Sequence, residues 1–111
     1  DRERIASAID TNGMSHQITI QGTYPGGRQA AKLMASYDAI VVPSQGIEGV
    51  PLVLFEAMAL GVPALCTDVG AIRDVCVDNE DFILCKPDIE SMAQGIDLLY
   101  YRVLMQVIDH D

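Results

Sequence analysis

Two carboxylates eight positions apart, Glu48 and Glu56, are the residues of this 111-residue chain whose type and spacing could do chemistry. They lie in PSQGIEGVPLVLFEAMALGVPAL, from Pro43 to Leu65, which reads as a strand end, a glycine-containing loop and the start of a helix. Glu48 falls in the loop and Glu56 about one and a half turns inside the helix. The first turn of a helix leaves N–H groups without internal partners, and the aligned peptide dipoles place about half a positive charge there. An anionic diphosphate suits that position, and Gly49 lets it approach without a Cβ in the way. Glu56 shares a helical face with Leu52, Ala59 and Leu60, so apolar neighbours flank it and it gains by finding donors. The adjacent hydroxyls of a ribose are such donors, each charge-assisted bond contributing about 1.5–3 kcal/mol. Glu48, nearer the phosphates, would face the group beyond them, such as the hydroxyls of a sugar. Plainer readings stand beside these: Glu56 as a helix-edge carboxylate reaching water or an arginine, Glu48 as an acid complementing the dipole, and Gly46 and Gly49 as turn residues.

These groups need a scaffold. Ala39 to Val42 is an apolar, β-branched run, as expected for a strand buried on both faces. Pro43 to Val50 follows as a loop. Pro51 opens the helix where its missing N–H costs nothing, Gly61 ends it, and Pro63 prevents continuation. Ala64 to Thr67 and Phe82 to Cys85 are two further apolar strands. Upstream, Ile5, Ala8 and Ile9 predict an amphipathic helix that stops near Asn12-Gly13. Ile18 to Gln21 alternates apolar with polar and predicts a short strand closed by Gly22. Tyr24 to Gly27 predicts a turn, and Arg28 to Tyr37 a helix. Asp88 to about Ile108 predicts a long closing helix, with Ile89, Met92, Ala93, Ile96, Leu99 and Val103 along one stripe. Strands alternating with helices imply crossover connections, hence an α/β fold with a Rossmann-like, mostly parallel sheet. In such sheets ligands bind beyond the carboxyl ends of the strands, and the Pro43 to Val50 loop lies at such an end.

Composition narrows the class. Half the residues are apolar, yet the hydrophobic run from Ala57 to Thr67 is only 11 residues long and contains Gly61 and Pro63. A membrane-spanning helix needs about 20 apolar residues in succession. Sixteen acids against seven bases give a net charge of −9, which disfavours a nucleic-acid backbone as partner. No basic start followed by an apolar stretch reads as a signal peptide. Cys66, Cys76 and Cys85 are spaced too widely for zinc-ligand pairs and suit buried small side chains in a reducing, cytoplasmic setting. The chain opens on Asp1, so it is expected to be a piece of something longer.

Glu48 and Glu56, with seven residues between them inside EGVPLVLFEAMALGVP and following Pro43-Ser44, resemble the E-x7-E signature of a known family. It is that of the retaining, nucleotide-sugar-dependent glycosyltransferases of group 1 (family 4), which have the GT-B fold. ITIQG before a helix, SYDAIVVPS, and TDVGAIRDV after the next strand agree, so the resemblance covers nearly the whole chain. It implies that residues 1–111 are a partial donor-binding domain, without the domain's first two strands and without the N-terminal acceptor domain. By position, Glu56 matches the glutamate that binds the ribose hydroxyls, and Glu48 the catalytic glutamate that faces the donor sugar. Gly49, Val50, Pro51 and Leu52 match the loop and helix start whose backbone lies against sugar and phosphate. Thr23 and Tyr24 fall near where the family often seats the nucleobase, and Tyr24 either stacks on the base or covers the core. The partners implied are a nucleoside diphosphate sugar and an acceptor hydroxyl of open identity, a membrane-surface acceptor included. No nucleic acid, metal or cofactor is expected.

The chain departs from the family in places. The usual paired glycines appear as Gly70-Ala71, and the glutamate a few residues on is Asp74. Nothing matches the Arg and Lys that neutralise the departing diphosphate, because Arg28, Lys32 and Arg73 stand in other contexts. In the family's strand order, 3-2-1-4-5-6, the two missing strands would separate those starting at Ile18 and Ala39. The piece must then pair these directly, expose edges or borrow strands from another copy, so marginal stability and self-association are expected.

The leading reading is transfer of a sugar from a nucleoside diphosphate sugar to a hydroxyl with retention of configuration. The protein would supply orientation and electrostatic stabilisation of the leaving diphosphate, and this stretch is not expected to act alone. The second reading is a non-catalytic nucleotide- or partner-binding remnant of the same fold, favoured by the missing Arg and Lys. A third is another enzyme on the scaffold, a sugar-nucleotide epimerase or a phosphorylase.

Overall fold

A computed structural model of the chain describes residues 2–21, 27–43, 52–69, 72 and 82–109. The three short apolar runs become β1 (Ile40–Val42), β2 (Ala64–Thr67) and β3 (Ile83–Cys85), paired in parallel in the order β1-β2-β3. Ile40 is in register with Ala64 and Val42 with Cys66; Leu65 is in register with Ile83 and Thr67 with Cys85. All four residues of β2 are buried, which is why Ala64, Leu65 and Cys66 are apolar in succession rather than alternating, with Thr67 the one buried polar side chain of the strand.

Among the described residues four helices accompany the sheet: α1 (Arg2–Thr11), α2 (Gly27–Ala35), α3 (Leu52–Leu60) and α4 (Ile89–Asp109). On one face Met34 of α2 and Leu54 and Ala57 of α3 pack with Ala64, Cys66, Leu84, Phe82 and Ile72. On the other, Leu99 of α4 packs with Leu65, Ile83 and Cys85, and Met92 and Ala39 border that cluster. The architecture is therefore the expected α/β one, a parallel sheet with helices on both faces.

Local chemistry sets the helix ends. Gly61 adopts a φ of 71°, the left-handed conformation that closes α3; its N–H donates to the Met58 carbonyl at 3.2 Å and that of Val62 to the Ala57 carbonyl at 2.9 Å. Gly13 closes α1 in the same way, with the Met14 N–H on the Ile9 carbonyl at 2.9 Å. At the start of α4 the Asp88 carboxylate accepts the Ser91 N–H at 2.7 Å and the Ser91 hydroxyl at 3.0 Å, satisfying groups that the first turn leaves open.

Three expectations need correction. The strand in Ala39 to Val42 is not buried on both faces: Ile40 and Val42 are half-buried and Val41 is exposed, because β1 has a paired neighbour on one side alone among the described residues. Ile18 to Gln21 forms no strand: the N–H groups of Gln17 and Ile18 both donate to the Met14 carbonyl, which ties the start of the segment into a turn. Alternation marks a surface that could pair, but a strand exists only with a neighbour, and among the described residues β1 pairs β2 alone. The stripe foreseen on α4 is also too wide. Leu99 is buried and Met92 and Val103 half-buried, whereas Ile89, Ala93 and Ile96 are exposed. The helix touches the sheet through the face centred on Gly95 and Leu99, so residues a quarter-turn away miss it.

Among the described residues, no helix is long and apolar enough to cross a membrane. Cys66 and Cys85 are buried and carry no disulfide. Cys66 belongs to the α3 face and Cys85 to the α4 face, so the sheet itself separates them. Cys76 lies outside the described residues.

Candidate functional site

Parallel pairing brings the carboxyl ends of β1, β2 and β3 to one edge, at Val42, Thr67 and Cys85. The chain crosses from β1 through α3 to β2, so α3 returns against the strand direction and its first turn comes to that same edge. Glu56 stands about one turn into α3, roughly 6 Å along the axis from Leu52 at 1.5 Å per residue.

What holds Glu56 there is its sequence neighbours. Leu54 and Ala57 are fully buried against the sheet, and that contact fixes the rotation of α3 about its axis. Glu56, on the opposite side, is exposed. Around it the outer face is apolar and uncovered: Leu52 is 74 % exposed, and Phe55, Met58, Ala59 and Leu60 are exposed as well. A helix apolar on every side ordinarily lies within a protein core. Here one charge sits in an apolar surface patch near the carboxyl edge of the sheet, an arrangement suited to a partner with both hydroxyls and an apolar face. Exposure also means that the carboxylate is hydrated in this state, so it needs no protein donor.

Of the residues expected to contact a ligand, Leu52 and Glu56 are brought to one face of α3. Tyr24, Glu48, Gly49, Val50 and Pro51 lie outside the described residues, as do Thr23, Gly70, Ala71, Arg73 and Asp74. The edge holds further groups that the sequence did not single out. Asp68 follows β2, half-buried, with its N–H donating to the Cys85 carbonyl at 2.7 Å. Lys86 follows β3 and is exposed, placing a cation at the carboxyl end of the sheet. The signal for both was simple: a charged residue directly after a mainly apolar strand of a parallel sheet. The hydrogen bonds from Ser91, first from its backbone and then from its hydroxyl, hold the Asp88 carboxyl below the usual range, and the Lys86 charge adds to this. Among the described residues no cluster of His, Cys, Asp or Glu could hold a metal ion.

Comparison with known proteins gives this arrangement a context. Residues 1–101 match the family model for glycosyl transferases group 1. An exopolysaccharide phosphotransferase of Streptomyces coelicolor is 44% identical over 98 residues, covering 86% of this chain and 10% of that protein. A phosphatidyl-myo-inositol mannosyltransferase of Mycobacterium leprae is 35% identical over 80 residues, covering 72% of this chain and 21% of that protein. Among solved structures, sucrose-phosphate synthase from Thermosynechococcus elongatus superposes with a TM-score of 0.78 at 26% identity, over 93% of this chain and 26% of that one. The chain thus spans only about a tenth to a quarter of the length of the proteins it resembles. A family match over residues 1–101, with the same fold in a solved relative, makes the chain a member of the group 1 glycosyl transferases.

Proposed function

We propose that this chain is the donor-binding portion of a retaining glycosyltransferase of family 4, with GT-B architecture, which moves a sugar from a nucleoside diphosphate sugar to an acceptor hydroxyl. The observation that carries the proposal is the E-x7-E pair, whose second member is fixed on the outer face of α3 at the carboxyl edge of the sheet. Glu56 accepts hydrogen bonds from the ribose hydroxyls, and the apolar surface of Leu52 lies beside the same nucleoside. The backbone of Gly49, Val50, Pro51 and Leu52 receives the diphosphate, and Glu48 faces the donor sugar as the catalytic carboxylate. Tyr24 is assigned to the nucleobase. An acceptor-binding domain and the first strands of the donor domain belong to the rest of the enzyme, and the reaction takes place in the cytoplasm.

Calorimetric titration of the complete enzyme with a panel of nucleoside diphosphate sugars tests this reading. One donor is expected to bind, with its free nucleoside diphosphate competing for the same site. If no member of the panel binds, the donor-site assignment falls.

A second reading has one observation in its favour. The relative at 44% identity is named a phosphotransferase, and this stretch makes up a tenth of it. A non-catalytic nucleotide- or partner-binding module of the same fold could accompany such an enzyme. It would bind a nucleoside diphosphate without turning over a labelled sugar donor, whereas the leading reading requires a glycosylated product.

A further inference from the structure

We draw no further inference here: the strongest candidate, the exposed apolar surface of β1 and α4 at Val41, Ile96, Tyr100, Leu104 and Val107, carries nothing, because the chain spans only about a tenth to a quarter of the proteins it resembles and nothing in the structure shows what covers that surface.

Discussion

A β-carbon on Gly95 of α4 would stand 2.8 Å from Cδ1 of Leu65 in the central strand, and 3.5 Å from the Cβ of Cys85. The missing side chain at Gly95 is what lets the helix lie this close to the sheet. Leu65 is itself buried, so its terminal methyls can make room only by turning within the core.

Gly95→Ala therefore sets two effects against each other. Alanine favours the helix by about 1 kcal/mol, while an extra methyl in a filled core costs about 1–3 kcal/mol. The crowding should win, with a net loss of about 1 kcal/mol in urea unfolding. Leu65→Val should then cost less in the Gly95→Ala background than in the parent, because the shorter side chain relieves the clash. Additive losses would show that the two residues are not coupled.

Glu56 and its neighbour Leu54 should separate function from folding. Glu56→Ala removes an exposed carboxylate and should leave stability within about 0.5 kcal/mol of the parent. In the complete enzyme it should weaken donor binding about a hundredfold or more, if two ribose bonds are lost. Leu54→Ala opens a hole under α3 and should cost about 2–5 kcal/mol. Paired measurements of donor affinity and unfolding free energy check both; unchanged donor affinity in Glu56→Ala would refute the ribose role.

Gly61→Ala tests backbone strain without crowding. Nothing lies within 4 Å of the position its β-carbon would take, but the φ of 71° disfavours any L side chain. The expected loss is about 1–2 kcal/mol, measured by thermal or chemical unfolding. A neutral result would mean that the end of α3 re-forms in another conformation at no cost.

Asp88 gives the fold an acid-sensitive cap. Its carboxyl is held below the usual range in the folded chain, mainly by the Ser91 backbone and side-chain hydrogen bonds. A group with a depressed folded pKa stabilises the fold above its unfolded value, near 3.8, and that contribution disappears as pH falls through the folded value. Thermal stability followed from pH 6 to pH 2 should show this loss in the parent. In Asp88→Ala the parent–variant difference should be greatest near neutrality and shrink towards pH 2. A difference that stays constant with pH would assign the stabilisation to something other than the charged cap.

Much of the scaffold was readable from residue types. The runs Ala64 to Thr67 and Phe82 to Cys85 matched their strands to within a residue, because burial on both faces forces a continuous apolar stretch. Gly13 and Gly61 marked helix ends because they supply a positive φ at no steric cost. The weight given to Ile18 to Gln21 was misplaced for a physical reason: alternation records which side of a strand could be buried, but pairing depends on a partner elsewhere in the chain. The α4 stripe failed similarly, since a periodic pattern cannot tell how wide a surface the helix will meet.

The sequence alone determined the chemistry on offer: two glutamates at a fixed spacing, an apolar helix around the second, and a parallel sheet with that helix following the strand at Ala39 to Val42. These follow from side-chain type and short-range backbone preference, which act within a few residues. Only the tertiary structure decided which side of each helix is used. It turned Leu54 and Ala57 into the core, left Glu56 facing outward and seated α4 on Gly95. Those outcomes depend on contacts between residues tens of positions apart, and the packing of whole elements, rather than any local pattern, selects among them.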